Sequence, residues 1–103
     1  MWAQLIIMRL KPGKEGDLPR VFEQLRAAEQ PGSGLLRTTT ARDQKDPSRI
    51  HTVVVFESEE KARAREQDPA RQAALEGVRA TMAEIFEGPP EFVDLEVLED
   101  TVY

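Results

Sequence analysis

The sequence of 103 residues contains no cysteine and only one histidine. Without cysteine, the chain can form no disulfide, thiolate nucleophile, iron–sulfur cluster or Cys-ligated zinc site. A single imidazole supplies too few nitrogen ligands for a histidine-based metal site within one chain. The residue inventory therefore predicts no bound metal and no cofactor.

Long apolar segments are missing as well. No run approaches the roughly 18 consecutive apolar residues that a membrane-spanning helix needs. The short apolar stretch Leu5–Met8 is followed by no small-residue cleavage site, so we expect no secretory signal. These features predict a soluble, cytoplasmic protein that makes no membrane contact.

Positive charge is scarce, because 14 Lys and Arg face 19 Asp and Glu and leave a net charge of −5. An acidic chain lacks the counterion-release electrostatics on which nucleic-acid binding depends. RNA-recognition motifs share the element order predicted below, but they carry stacking aromatics on their central strands in a basic field. We therefore expect no nucleic-acid partner.

Hydrophobic periodicity and turn residues divide the chain into four strands and two helical regions within a single domain of residues 1–103. The predicted strands are Trp2–Leu10, Leu35–Arg42, Ile50–Phe56 and Phe92–Leu98. The first and third strands are apolar on both alternating sets of residues, which is typical of central strands. The second and fourth alternate as edge strands do.

The helical regions are delimited by capping residues. The first helix begins at Leu18 after Asp17, and the second region begins at Glu59 after Ser58. Asp68-Pro69 interrupts the second region, because proline disfavours helical geometry in the residue before it. An amphipathic helix from Ala74 to Phe86 then follows, and we expect it to end at Gly88-Pro89-Pro90.

The order βαββαβ predicts an α+β, ferredoxin-like fold, a four-stranded antiparallel sheet in the order 4-1-3-2 with the helices on one face. Helices on one face leave the aliphatic side chains of the other face in water. A face of several hundred Å² is large enough for a stable interface. We therefore predict a homodimer that packs sheet face against sheet face.

Four segments together resemble the antibiotic biosynthesis monooxygenase family of dimeric α/β barrels, over nearly the whole chain. They are Lys11–Glu15, Val53–Glu60, Asp68–Ala73 and Gly88–Pro90. The resemblance implies a homodimer with a pocket between helices and sheet. It also implies either cofactor-independent oxygenation of polyketide-like quinols or haem degradation.

The haem-degrading branch of that family does not match at three positions. Its strand-one asparagine falls on Ile6, its helix-two tryptophan on Arg65 and its iron-binding histidine on Leu75. Leucine has no lone pair with which to ligate iron. The resemblance therefore favours a cofactor-independent monooxygenase acting on a hydrophobic aromatic or quinol-type molecule. The alternative is a non-catalytic dimeric ligand-binding or structural module.

His51 is the candidate catalytic residue, because it is the only side chain whose ordinary pKa, about 6.5, suits proton transfer at neutral pH. Strand alternation places His51 and Phe56 on opposite faces, so a role at a strand end or an interface is the competing interpretation. The candidate substrate-binding residues are Phe56, Thr52, Phe22, Met82 and Phe86. Those with core-like spacing are equally explained as core.

Three further features have simple structural explanations. Trp2 and Tyr103 lie near the two ends of the chain and are expected at a dimer rim or in solvent. The arginines that flank the predicted hairpin, which are Arg37, Arg42 and Arg49, could bind an anion. The interleaved Asp43 and Asp46 instead favour a solvated, self-paired surface. The charges that follow Glu57, including a Glu59–Arg63 pair, are expected to form a solvated helix face.

Overall fold

The computed structural model describes residues 1–103 as four strands and four helices. The strands are β1 (Trp2–Leu10), β2 (Leu35–Arg42), β3 (Arg49–Phe56) and β4 (Phe86–Glu96). The helices are α1 (Leu18–Ala28), α2 (Glu59–Glu66), α3 (Pro69–Ala74) and α4 (Glu76–Ile85), and a 3-10 turn (Glu15–Asp17) precedes α1. The antiparallel sheet has the order β2-β3-β1-β4, which confirms the predicted ferredoxin-like arrangement.

Strand alternation gives the sheet an inner face, covered by helices, and an outer face without them. Opposed residues of an antiparallel pair point to the same side, so Trp2 and Phe56 share the inner face, whereas Ala3 and Val55 share the outer one. Aliphatic side chains populate the outer face at the centre of the sheet. They are Leu5, Ile7, Val53, Val93 and Leu95.

The core lies between the inner face and the helices in three buried clusters. The largest contains Leu10, Val21, Ile50, Ile85 and Phe86. A second joins Trp2, Val54 and Phe56 to Ala62 of α2, and a third joins Ala28, Leu75 and Val78. These contacts fix α1 and α4 over the centre of the sheet, whereas α2 contributes only Ala62 to the buried core.

Trp2 is part of the core, so the expectation of a rim or solvent position for it is wrong. Its side chain is only 9% exposed, and its indole centroid lies 6.0 Å from that of Phe56. The reason is the register, because Trp2 is paired with Phe56 on β3 and with Glu96 on β4 and faces α2. Tyr103, by contrast, is fully exposed.

Gly88-Pro89-Pro90 lies inside β4, which corrects the expectation that it ends the preceding helix. The helix stops at Ile85, and Phe86 already belongs to the strand. The β1–β4 register shifts between Ile7 and Arg9, and the Gly-Pro-Pro segment fills the shift as a bulge. An edge strand tolerates proline because one side of its backbone needs no ladder hydrogen bonds, and Gly88 supplies the positive φ of 67°.

The predicted interruption at Asp68-Pro69 is confirmed. The Ser58 side chain accepts a hydrogen bond from Lys61 N, and the Asp68 side chain accepts one from Ala70 N. Pro69 begins α3, where its missing N–H costs nothing. Asp17 precedes α1 without a side-chain cap, because the 3-10 turn already leads into the helix.

Gly34, directly before β2, lets the Lys61 side chain of α2 pack closely against the backbone. It has a positive φ of 83°, and a Cβ added there would lie 2.6 Å from Lys61 Cδ. Its carbonyl accepts a hydrogen bond from Glu57 N just before α2. Glycine is therefore required both by the backbone conformation and by the nearby lysine stem.

The segment after β4 crosses back toward the opposite edge of the sheet. Asp100 forms an ion pair with Arg37 of β2, whose register partner Val55 lies on the outer face. Three strand spacings are about 14 Å, a distance that five extended residues can cover. Ala3 and Val55, which lie between the two edges, are nearly fully buried although no helix covers them.

No helix is long and apolar enough to cross a membrane.

One partly buried ion pair connects α2 to the end of α1. Arg65 donates to both carboxylate oxygens of Glu29, at 2.6 and 2.9 Å for the shortest contact to each oxygen, and its guanidinium lies 5.2 Å from the Phe56 ring centroid. Burial opposes ionisation of Glu29, but hydrogen bonds from Arg65 and Ser33 outweigh it and lower the pKa of that carboxyl. The pair therefore stabilises the folded state when Glu29 is ionised.

We expect Glu29→Gln to lower the free energy of unfolding at pH 7 by about 1–3 kcal/mol, because a charge-assisted bidentate contact is lost. Since the folded-state pKa of Glu29 is depressed, its contribution is present above the unfolded value of about 4.3 and disappears as the pH falls through the folded value. Urea unfolding measured from pH 7 down to pH 3 tests this. Glu23→Gln, at an exposed site on α1, is the control. An equal loss at both sites, or a pH-independent one, would contradict the assignment.

Candidate functional site

The helical layer stops short of β4 and leaves a cleft at that edge of the inner face. We call it the edge cleft; it has a volume of about 350 Å³ and is lined by Gln4, Arg63, Glu66, Phe92 and Asp94. Phe92 faces the helix side opposite Ile6, yet 56% of it is exposed. An aromatic side chain on an inner face is normally covered, so this one is available to a ligand.

The polar end of the edge cleft is a network that joins three elements. Gln4 Nε2 of β1 donates to Asp94 Oδ1 of β4 at 3.0 Å, and Arg63 of α2 donates to Asp94 Oδ2 at 2.8 Å. The β1–β4 register pairs Gln4 with Asp94 directly, so the strand pairing itself positions the carboxylate. These hydrogen bonds, first from Gln4 and then from Arg63, hold the pKa of Asp94 below its usual range. Asp94 is therefore ionised at neutral pH.

Arg63 lies where the core meets the edge cleft. Its guanidinium is 4.9 Å from the centroid of the Trp2 ring, a cation–π contact. The same group donates to Glu66 at 3.2 Å and to Glu59 at 3.3 Å, which confirms the expected Glu59–Arg63 pair. The helix face that carries these charges was expected to be merely solvated, but Arg63 and Glu66 line the cleft.

A smaller pocket lies further along the same pair of strands. We call it the methionine pocket; it has a volume of about 160 Å³ and is lined by Met8, Met82, Ala83, Phe86, Gly88 and Pro90. The Gly88–Pro90 bulge opens it, and the Ile6–Phe92 pair separates it from the edge cleft. From Gln4 to Met8 the β1–β4 seam is about 13 Å long, enough to seat fused aromatic rings.

The structure brings together two of the five predicted substrate-binding residues. Met82 and Phe86 line the methionine pocket. Thr52 is on the inner face opposite Ile6 and shares a 2.9 Å hydrogen bond with Thr40. Phe56 is only 3% exposed beneath Trp2, and the half-buried Phe22 of α1 lines neither cavity. The proposed binding roles of all five stay predictions.

His51 lies on the outer face, paired with Ile7 of β1 and Ala41 of β2. The edge cleft and the methionine pocket both open on the inner face, so the sheet separates the imidazole from them. The alternation argument that placed His51 and Phe56 on opposite faces is correct. The catalytic role suggested for His51 stays a prediction, and it would have to be exercised on the outer face.

Sequence reasoning did not find Gln4, Phe92 or Asp94. One local signal existed, because Gln4 is the only polar residue among the inner-face positions of β1, which are Trp2, Gln4, Ile6, Met8 and Leu10. The partner Asp94 is 90 positions away in the sequence, so only the register brings the two together. Of the hairpin arginines, Arg37 pairs with Asp100, and the nearby Asp43 caps its own turn through Lys45 N and Asp46 N.

The residues present do not fit a haem. Leu75, at the position of the iron ligand, is buried against Ala28 and Val78 and carries no donor atom. The only imidazole, that of His51, is on the other side of the sheet. No group of three or more His, Cys, Asp or Glu side chains is arranged to hold a metal ion.

Comparison with known proteins gives one family match and several similar solved structures. The family model described as antibiotic biosynthesis monooxygenase matches residues 1–77. No curated protein sequence matches the chain.

Three solved structures illustrate the likeness in fold. A variant of MhuD with two manganese protoporphyrin IX molecules per active site is 22% identical, with a TM-score of 0.80 and full coverage of both chains. A mutant of SnoaB, a cofactor-independent oxygenase from Streptomyces nogalater, is 15% identical, with a TM-score of 0.70 and coverage of 96% of this chain and 94% of that one. A protein of unknown function from Nitrosomonas europaea is 22% identical, with a TM-score of 0.72 and coverage of 99% and 93%.

The lone tryptophan reports on the edge cleft, because Arg63 covers its ring. We expect Arg63→Ala to increase acrylamide quenching of Trp2 fluorescence roughly twofold and to shift the emission to longer wavelength, since the guanidinium and its stem no longer shield the indole. Arg26→Ala, on the exposed side of α1, is the control and should leave both quantities unchanged. Unchanged quenching in the Arg63 variant would show that the guanidinium does not cover Trp2.

Proposed function

The chain belongs to the antibiotic biosynthesis monooxygenase family, and from that premise we propose that it is a cofactor-independent monooxygenase acting on a hydroxylated aromatic molecule. The observation that carries the proposal is Phe92, an exposed aromatic on the inner face, two residues from the Asp94–Arg63 pair on the same strand face. A ring can stack on Phe92 while its hydroxyl reaches the carboxylate.

The apolar part of the β1–β4 seam suits a fused-ring ligand. Ile6 and Phe92 form its middle, and Met8 and Met82 line the far end. Methionine side chains are flexible and polarisable, and they adapt to flat aromatic surfaces. A hydrophobic ring system lying along the seam would therefore have its polar edge at Gln4, Arg63 and Asp94.

The proposed oxygenation needs few protein groups, because the substrate itself reduces O₂. The anion of an electron-rich phenol, whose charge is shared with a ring carbon, gives one electron to O₂. The radical pair recombines at that carbon, and the peroxide takes up the proton that the hydroxyl had lost. Loss of water from that hydroperoxide then leaves a carbonyl. One oxygen atom enters the product and the other leaves as water, whose two hydrogens come from the substrate hydroxyl and from the reacting carbon. Asp94 accepts the hydrogen bond of the substrate hydroxyl and thereby enriches the ring in electrons.

We propose that the protein acts as a homodimer through its outer face, as the sequence predicts. The apolar side chains there are numerous enough for a stable interface. Leu98 and Val102 of the segment after β4 are almost wholly exposed and so add apolar surface that a partner could cover. The expected location in the cytoplasm stays a prediction.

A second candidate function is that of a non-catalytic ligand-binding module. It is favoured by the chemistry of the ionisable groups at the edge cleft, which are one arginine, one glutamate and one aspartate whose pKa is depressed. None of these is a strong base near neutral pH. Binding of an aromatic ligand without oxygen consumption would distinguish this candidate from the monooxygenase.

Anthrone is a suitable test substrate, because its oxidation by O₂ gives anthraquinone and water with no cofactor. We expect the protein to accelerate oxygen uptake and to place one atom of isotope-labelled oxygen gas in the quinone. Phe92→Ala should lower kcat/KM roughly tenfold through loss of stacking. The measurements are oxygen-electrode rates and mass spectrometry of the product.

Tyr103→Ala is the matched control for Phe92→Ala, because it removes an exposed aromatic that does not line the edge cleft. We expect it to keep the wild-type rate. No acceleration over the spontaneous reaction, together with binding of anthrone, would favour the non-catalytic module. An equal loss of kcat/KM in both variants would show that Phe92 has no specific role in binding the substrate.

The dimer is tested by a charge at the centre of the outer face. Val53→Glu should weaken self-association by at least about a hundredfold, because it would bury an unpaired carboxylate. Leu25→Glu on α1 is the control, since Leu25 and Val53 are each 37% exposed. Analytical ultracentrifugation of the three proteins gives the answer. A monomeric wild type, or a Val53 variant that dimerises normally, would contradict the proposed interface.

A further inference from the structure

The edge cleft carries an excess of negative charge. Arg63 is the only cation among its lining residues, and it is hydrogen-bonded to Asp94, Glu66 and Glu59. Three carboxylates therefore share one guanidinium. Of the neighbouring cations, Arg65 pairs with Glu29 and Lys61 with Glu57, while Arg71 lies within electrostatic range of Glu66 but lines no part of the cleft.

The carboxylates at the edge cleft also leave more free hydrogen-bond acceptors than donors for a ligand. An ionised carboxylate offers about four lone-pair sites, and Asp94 uses one on each oxygen, for Gln4 and for Arg63. The remaining sites can accept a hydrogen bond from a ligand hydroxyl. A ligand carboxylate has no proton to donate and would meet the three acids directly.

We propose that the edge cleft selects uncharged hydroxylated aromatics and rejects aromatics that carry a carboxylate, and that Asp94 sets this preference. The inference rests on the proposed binding of an aromatic ligand at Phe92 and specifies the class of substrate that can enter. Asp94 lies about 7 Å from Phe92 along one face of the strand, so a stacked ring places its hydroxyl next to the carboxylate.

The test compares two probes with the same ring system, 2-naphthol and 2-naphthoate. At pH 7 the naphthol is neutral, whereas the naphthoate is anionic. We expect the wild-type protein to bind the naphthol at least about tenfold more tightly, as measured by NMR titration of backbone amides. Raising the salt concentration should narrow the difference, because screening weakens the repulsion.

Two variants separate charge from hydrogen bonding. Asp94→Asn should reduce the naphthol preference about tenfold, since it removes the negative charge and a charged acceptor together. Glu66→Gln should strengthen naphthoate binding more than naphthol binding, because relief of repulsion acts on the anion alone. Glu23→Gln on α1 removes an equal charge away from the cleft and should change neither affinity. Thermal melts followed by circular dichroism establish that each variant is folded.

The outcomes distinguish this inference from the function on which it rests. Equal affinity of the two probes for the wild type, or a preference that survives Asp94→Asn in a folded protein, would overturn the selectivity and leave aromatic binding intact. A Glu23 variant that behaves like the Asp94 variant would assign the effect to net charge and also overturn it. Failure of both probes to bind would overturn the proposed function and this inference together.

Discussion

A helical layer too narrow for its sheet is the constraint on which the rest of the structure depends. Helices α1 and α4 bury the centre of the inner face, but α2 supplies only Ala62 to the core and otherwise presents charge. The inner side of β4 is therefore left open beside Arg63 and Glu66, and the outer face has no helix at all. The edge cleft and the apolar outer face both follow from this incomplete cover.

The sheet register turns that opening into a defined site. Direct pairing of Gln4 with Asp94 and of Ile6 with Phe92 places a polar pair and an apolar pair side by side on β1 and β4. The Gly88–Pro90 bulge then interrupts the ladder and creates the methionine pocket. A bulge in an edge strand costs little pairing, because only one side of that strand is hydrogen-bonded. The seam thus gains length without loss of the central β1–β3 ladder.

Most of the fold could be predicted from local pattern, and most of the site could not. Strands β1 and β2, the break at Asp68-Pro69 and the strand order are each encoded in contiguous periodicity and turn chemistry. The edge cleft depends on contacts such as Gln4–Asp94 and Arg63–Asp94, whose partners are far apart in sequence and met only through register. Trp2 was misjudged for the same reason, because its burial comes from α2 and β3, not from its position near the chain end.

Arg63 contributes both to the packing of α2 and to the proposed selection of the ligand. Its cation–π contact with Trp2 fixes α2 against the core, and its hydrogen bonds to Asp94, Glu66 and Glu59 fix the charges at the rim. The apolar seam beneath is adaptable and discriminates weakly, since methylene-sized differences in such pockets are worth little. The charges around Arg63 would discriminate more strongly between charged and uncharged ligands. Substitutions on α2 or β4 can change these charges without disturbing the sheet. In the proposed site, the apolar surface for a ring is therefore separate from the few charged residues proposed to select the ligand.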